Sequence, residues 1–231
     1  MQGRTHAASG ALAGVGIAAA WHFGLPLEAA SAVIGAGAAL LPDLDHADAA
    51  AVHALGPAGR AISGAVAKLG GGHRGKTHTA AFALFVGALA GAAALAGHVG
   101  ATVVVAVLAA LGIRTLLMVG AGKNRPPWLR RRTRRGLVLL GTAGASVGAW
   151  HFGLSPLELG SLAAAGVAAH LAGDLVSNGV PLLWPLRKER VVLARLHTFG
   201  TVDRLLAPAL TAAVVALLIG PLLFRLASRA P

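Results

Sequence analysis

Seven apolar runs, parted by short polar or basic stretches, succeed one another along the chain, at 7–23, 27–41, 79–97, 99–119, 136–152, 156–173 and 205–224. Nothing else in the sequence constrains the fold as much. A soluble domain cannot bury so many such runs, and a single cleaved signal peptide cannot account for them. Only 12% of residues are charged, about half the ~25% usual in soluble domains. The expected fold is all-α: a polytopic helical membrane protein with about seven transmembrane helices in a single integral-membrane domain. Some runs fall short of the ~20 residues a span usually needs, but they are rich in Gly and Ala, which favours close helix–helix packing.

The runs divide the chain into a hairpin at 5–46, an interfacial segment at 47–78 and a second hairpin at 79–119. A basic cytoplasmic loop at 120–135, a hairpin at 136–174, a surface segment at 175–203 and a last helix at 204–225 complete the expectation. Trp-His-Phe-Gly-Leu-Pro-Leu-Glu at 21–28 recurs as Trp-His-Phe-Gly-Leu-Ser-Pro-Leu-Glu at 150–158, which raises an internal repeat of helical hairpins as a possibility. With the N-terminus inside, 18 of the 20 Lys and Arg residues fall on one side, leaving Arg225 and Arg229 on the other. Such asymmetry marks the basic side as cytoplasmic, so the expected location is the plasma (inner) membrane, multi-pass. Trp21 and Trp150 then sit at one interface, Trp128 and Trp184 at the other. The net charge of +12 belongs to topogenic loops, and nucleic acid is not an expected partner.

On this topology the polar residues gather at one end. Leu-Leu-Pro-Asp-Leu-Asp-His at 40–46 holds Asp43 and Asp45, two of only eight acidic residues, with His46 beside them. His6 opens the first run, His73 and His78 precede the third, and His170 and Asp174 close the sixth on one helical face. Any one of these could cap a helix, but eight arriving at one depth from four segments form a candidate metal site. With no Cys in the chain, ligation must use imidazole and carboxylate, which suits zinc, with manganese or iron as alternatives, as one or two ions. Asp43 and Asp45 are the first candidates for bridging or terminal carboxylates, with His46 as companion ligand. The position of His53 is left open, as is that of His197.

Such a centre activates water for hydrolysis. Asp43, Arg74, Lys76 and Thr77 are the expected catalytic residues, Arg74 and Lys76 steadying a phosphate and Thr77, like Thr79, capping the third helix or orienting ligands. Gly70 to Thr77 also matches the phosphate-loop pattern G-x-x-x-x-G-K-[ST], but no strand precedes it and a membrane span follows, so nucleotide binding is not expected.

Thr5-His6, the 40–46 motif, His-Arg-Gly-Lys-Thr-His-Thr at 73–79, His-Leu-Ala-Gly-Asp at 170–174 and Gly-Val-Pro-Leu-Leu-Trp-Pro at 179–185 together resemble the YdjM family of membrane-bound metal-dependent hydrolases. The likeness spans residues 5 to about 203. Thr79 stands where the family usually has Ser. At 196–203 the family's Thr-Gly-Ser element with a Glu is not matched, which leaves Asp203 without a clear counterpart. The order of the His and Asp elements is more loosely similar to zinc-dependent phospholipases C, which implies phosphoester substrates. The resulting expectation is a metal-dependent hydrolase, phosphoesterase-like, at the cytoplasmic membrane face, its partners the lipid bilayer and a phospholipid or other phosphorylated substrate. A divalent-metal transporter and a non-catalytic membrane-binding or structural protein are the alternatives. No oligomeric state follows from the sequence.

Overall fold

The computed structural model describes residues 2–119, 131–196 and 200–227. Within them the chain is all-helical: α1 (Gly3–Ala20), α2 (Leu25–Ala38), α3 (Ala50–Ala54), α4 (Pro57–Gly70), α5 (Ala80–Leu95), α6 (His98–Leu116), α7 (Arg131–Phe152), α8 (Pro156–Leu175) and α9 (Thr201–Ala227). Short 3₁₀ turns at Pro42–Asp45 and Lys76–His78 carry the two polar motifs. The only bridge among the described residues is an isolated antiparallel pair, Val180 with Val191.

Local chemistry sets the ends of these helices. Ser155 and Glu158 form a reciprocal capping box at the start of α8, satisfying two otherwise orphaned N–H groups. Thr79 caps α5, its hydroxyl oxygen accepting from the Phe82 N–H at 3.1 Å. Pro26 stands in the first turn of α2, where its missing N–H costs nothing. Helix α4 ends on Gly71, in the left-handed conformation at φ 79°, the residue type that tolerates it without strain.

The interior is built from small residues and the exterior from large apolar ones. Gly10 and Gly14 of α1 face α2, and a Cβ on Gly10 would run into the Gly35 carbonyl oxygen. Gly166 of α8 lies over the same Gly35 carbonyl, and Gly112 of α6 against Val33 and Gly37. Helix α2 is thus the hub, with α1, α6 and α8 close enough for backbone to meet backbone. Leu84, Phe85 and Leu89 of α5, Val99, Val103 and Val107 of α6, and Leu139, Leu140 and Val147 of α7 point outward. That inversion suits a lipid solvent, in which burying apolar bulk gains little and close packing of small residues holds helices together.

Three stretches are long and apolar enough to cross a bilayer: Leu25–Asp45, His98–Leu116 and Thr201–Pro221, with mean hydropathy of 1.5, 2.1 and 1.9. Ala80–Leu95 is apolar but shorter. Segment 47–78 folds as α3, α4 and a 3₁₀ turn, with Gly59, Ser63 and Gly70 of α4 inward and Ile62 and Leu69 exposed.

Of the expected basic loop, residues 120–130, with Trp128, lie outside the described residues, as do His197 and Arg229. Residues 131–135 are not loop but the first turn of α7; arginine is a good helix former and its charge alone does not end a helix. Likewise Thr201, Val202 and Asp203 belong to α9 rather than to the surface segment.

Both copies of the Trp-His-Phe-Gly sequence are helix–helix turns, but different ones. In the first, α1 ends at Ala20 and His22 takes the positive φ of 54°; in the second, α7 runs on to Phe152 and Gly153 takes φ 72°. The extra residue in the second copy moves the left-handed position onto glycine. Helices α1 and α2 pack along each other, whereas α7 lies mainly on α6 and α8 on α5 and α1.

Candidate metal centre

Four elements deliver the polar cluster: α1 brings His6, the Pro42–Asp45 turn brings Asp43 and Asp45, the segment 73–78 brings His73, Arg74, Thr77 and His78, and α8 brings His170 and Asp174. The i, i+4 spacing puts His170 and Asp174 on one face of α8, with the His170 Nε2 atom 3.7 Å from Asp174 Oδ2. His6, His78, His170 and Asp174 are no more than 1% exposed, while the Asp43 side chain keeps 19%.

Hydrogen bonds fix which nitrogens face inward. His170 Nδ1 lies 2.7 Å from the Ala39 carbonyl oxygen. A carbonyl only accepts, so Nδ1 carries the proton and Nε2 the lone pair. The Thr77 hydroxyl donates its single proton to Asp45 Oδ2 at 2.6 Å. Its oxygen, 3.0 Å from His78 Nδ1, can therefore only accept, and His78 too is an Nδ1–H tautomer. The two Nε2 atoms then meet at 3.2 Å, where only a cation or a shared proton can stand between two lone pairs.

Carboxylates close the same space. His78 Nε2 is 3.8 Å from Asp43 Oδ1 and 3.6 Å from Asp174 Oδ2, and His170 Nε2 is 3.8 Å from Asp43 Oδ1. Tetrahedral zinc with Zn–N near 2.0–2.1 Å separates its ligand atoms by about 3.3–3.4 Å, and the separations among His78, His170 and Asp174, at 3.2, 3.6 and 3.7 Å, come within a few tenths of an ångström of that. His6 joins through Nε2, 3.5 Å from Asp174 Oδ1, its ring stacked on His170 at 3.8 Å. Its buried Nδ1 has no hydrogen-bond partner among the described residues. Three overlapping groups could hold an ion: His6, Asp43 and His170; Asp43, His73 and His78; and His78, His170 and Asp174.

Of the eight expected ligands, the structure thus brings six within these groups. Asp45 stands behind them: its Oδ1 is 2.9 Å from His73 Nδ1, and its Oδ2 accepts from the Arg74 N–H at 3.0 Å and from Thr77. It orients three neighbours, a common arrangement around metal-binding histidines. His46 packs its ring edge-on against His73 at 4.7 Å and accepts from the Asp48 N–H, and is in none of the groups. Burial alone would lower the pKa of His78, but the carboxylates of Asp43 and Asp45 outweigh it and raise the value.

Among the expected catalytic residues, Asp43 and Arg74 are at the centre, and Thr77 is a buried tether. The Arg74 Nη2 atom donates to Asp174 Oδ1 at 3.2 Å, and its backbone holds a positive φ of 59°, strained for a side chain with a Cβ and pinned by Asp45. Lys76 is turned away, with Nζ 5.4 Å from the centre of the Trp184 ring; its charge is spent on that aromatic face. The glycines before it follow a helix, α4, rather than a strand, so the phosphate-loop match has no structural basis.

Asp203 emerges as part of the assembly. It is 4% exposed and accepts from the Thr5 hydroxyl at 2.7 Å and from the Gln2 N–H, clamping the start of α1, and with it His6, to α9. Its rarity as a carboxylate in an apolar chain was the available signal. A cleft of about 890 Å³ opens over the centre, lined by Asp43, His46, His73, Arg74, Arg4 and Arg190 among others. His53 also faces this cleft, whereas His98, His22 and His151 lie at helix turns away from it.

The fold and this site define an all-helical membrane protein with a buried His/Asp cluster able to hold a metal ion. The chain belongs to the YdjM inner membrane protein family, whose model matches residues 1–230. No match was found among curated proteins or among solved structures.

Proposed function

We propose that this protein is a metal-dependent hydrolase of the inner membrane that cleaves a phosphoester, on a phospholipid or another phosphorylated compound, at the cytoplasmic face. The observation that carries the reading is the meeting of the His78 and His170 Nε2 lone pairs with Asp43 and Asp174 beneath a cationic cleft. Nitrogen and carboxylate donors at these spacings favour zinc, with room for one ion or, through Asp43 shared with His73, two. A divalent ion bound there would acidify water and offset charge on a phosphoryl oxygen.

The chain's own residues supply the rest. Asp45 and Thr77 hold His78 and His73 in the ligating tautomer. Arg74 keeps a guanidinium beside Asp174 at the cleft floor, and Arg4 and Arg190 line the walls, a distribution suited to a phosphate that approaches from water. We take α1, α2 and α5 to α9 as seven crossings. The shorter, Ala- and Gly-rich ones are sheltered inside the bundle, and the N-terminus lies on the basic, cytoplasmic side.

The test is the metal content of purified protein, followed by hydrolysis of phosphomonoester and phosphodiester probes. Bound zinc, manganese or iron that is lost in Asp43→Ala and His170→Ala, together with phosphate release dependent on it, supports the reading. Absence of metal, or the same content in both variants, overturns it.

A further inference from the structure

A second cationic site lies apart from the metal centre, where the end of α6 meets the start of α7. Arg114, Arg134 and Arg135 line one cavity of about 240 Å³ together with Val138 and Leu139. Like charges brought to one cavity repel, and proteins ordinarily relieve this with a carboxylate. Here none is to hand: no Asp or Glu occurs between Asp48 and Glu158, and among the described residues none of the three arginines makes a salt bridge. Arg134 Nη1 reaches only the Met118 sulfur, at 3.4 Å, a weak acceptor for a guanidinium. Arg114 Nη2 donates to the His53 carbonyl oxygen at 3.3 Å. Arg114 and Arg134 are half-buried rather than freely solvated.

The cavity's other wall indicates what the anion carries. Val138 and Leu139 begin the apolar part of α7, and Leu139 and Leu140 are 70% and 73% exposed. They continue into an outward apolar surface through Val147, which faces hydrocarbon on the seven-crossing reading proposed above, and the inference rests on that reading. A ligand held here therefore has an anionic group among three guanidiniums and a hydrophobic body running along α7. We propose that Arg114, Arg134 and Arg135 form a binding site for the phosphate of an anionic phospholipid, with Val138 and Leu139 against its glycerol and first acyl carbons. Basic cavities between membrane helices on the cytoplasmic side hold anionic headgroups by this combination. The lipid phosphate supplies the missing countercharge and seats α7 against α6.

The whole protein, purified in neutral detergent, is offered phosphatidylglycerol, phosphatidylcholine or inorganic phosphate, and retained lipid is read by native mass spectrometry. Wild type is expected to retain phosphatidylglycerol over phosphatidylcholine, with inorganic phosphate not displacing it. Arg134→Gln and Arg114→Gln should each weaken retention about fivefold, the factor that ~1 kcal/mol per arginine represents. Val138→Trp, which fills the cavity and leaves every charge in place, should abolish the preference, whereas Arg131→Gln, outside the cavity, should not. Equal retention of the two lipids by wild type overturns the proposal, as does displacement by inorganic phosphate or an unchanged preference in Val138→Trp. Helical circular dichroism and elution volume establish that each variant is folded.

Discussion

His170 Nδ1 and the carbonyl oxygen of Ala39 lie 2.7 Å apart, joining α8 to the residue that follows α2. That bond decides the tautomer of a fully buried imidazole in the centre, and its acceptor is backbone. His170→Gln, which keeps bulk but removes the ring, should reduce bound metal to background in elemental analysis while leaving helical content unchanged.

Asp45 orients His73, Thr77 and the Arg74 backbone without joining any candidate ligand group. Asp45→Asn should therefore weaken metal affinity by roughly 10–100-fold, the usual effect of losing such a partner, rather than abolish binding. Competition against a chelator of known affinity separates these outcomes. Thr77→Val should move in the same direction and Thr77→Ser should restore it, because only the hydroxyl is needed.

Lys76 sits over Trp184, so Lys76→Ala should leave metal content unchanged and alter phosphoester turnover little. Arg74→Gln should also keep the metal but raise KM for an anionic substrate. A steady-state comparison of the two variants checks both.

Much of this was legible in the sequence, for reasons that differ from residue to residue. Apolar runs and basic bias placed His6, Asp43, His78, His170 and Asp174 at one end, because membrane depth is set by the linear pattern of hydropathy. The pattern carries no rotation angle for residues in irregular turns. Asp43 and Asp45, two apart in a 3₁₀ turn, therefore read as equivalent although one faces the centre and the other backs it. The direction of Lys76, whose ammonium lies over Trp184, was hidden for the same reason. Helix partners were hidden as well: α8 lies against α5 and α1 rather than α7, a matter of which glycines meet.

Gly35 is where α1 and α8 both touch α2, its own Cβ position occupied by the Gly10 carbonyl and its carbonyl beneath Gly166. Gly35→Ala should cost about 1–3 kcal/mol by overpacking, seen as a lowered Tm in detergent. It should loosen metal binding too, since His6 and His170 ride on the displaced helices.

The raised pKa of His78 gives the metal-free protein a stability term of defined sign. It is fully present below the ordinary imidazole value near 6.5 and lost as pH rises through the higher folded-state value. With metal the sign reverses, because the ion displaces that proton. Tm measured across pH with chelator should fall towards alkaline pH; with saturating metal it should rise from acid to neutral pH. Parallel curves would contradict the assignment of His78 as a ligand.

Asp203 holds Thr5 and Gln2, so the first helix made is fastened by the last. During synthesis His6 leaves the ribosome nearly two hundred residues before its clamp exists. If the cluster takes up an ion as proposed, the centre is complete only once α9 is in place, which makes ion loading a late event in biogenesis.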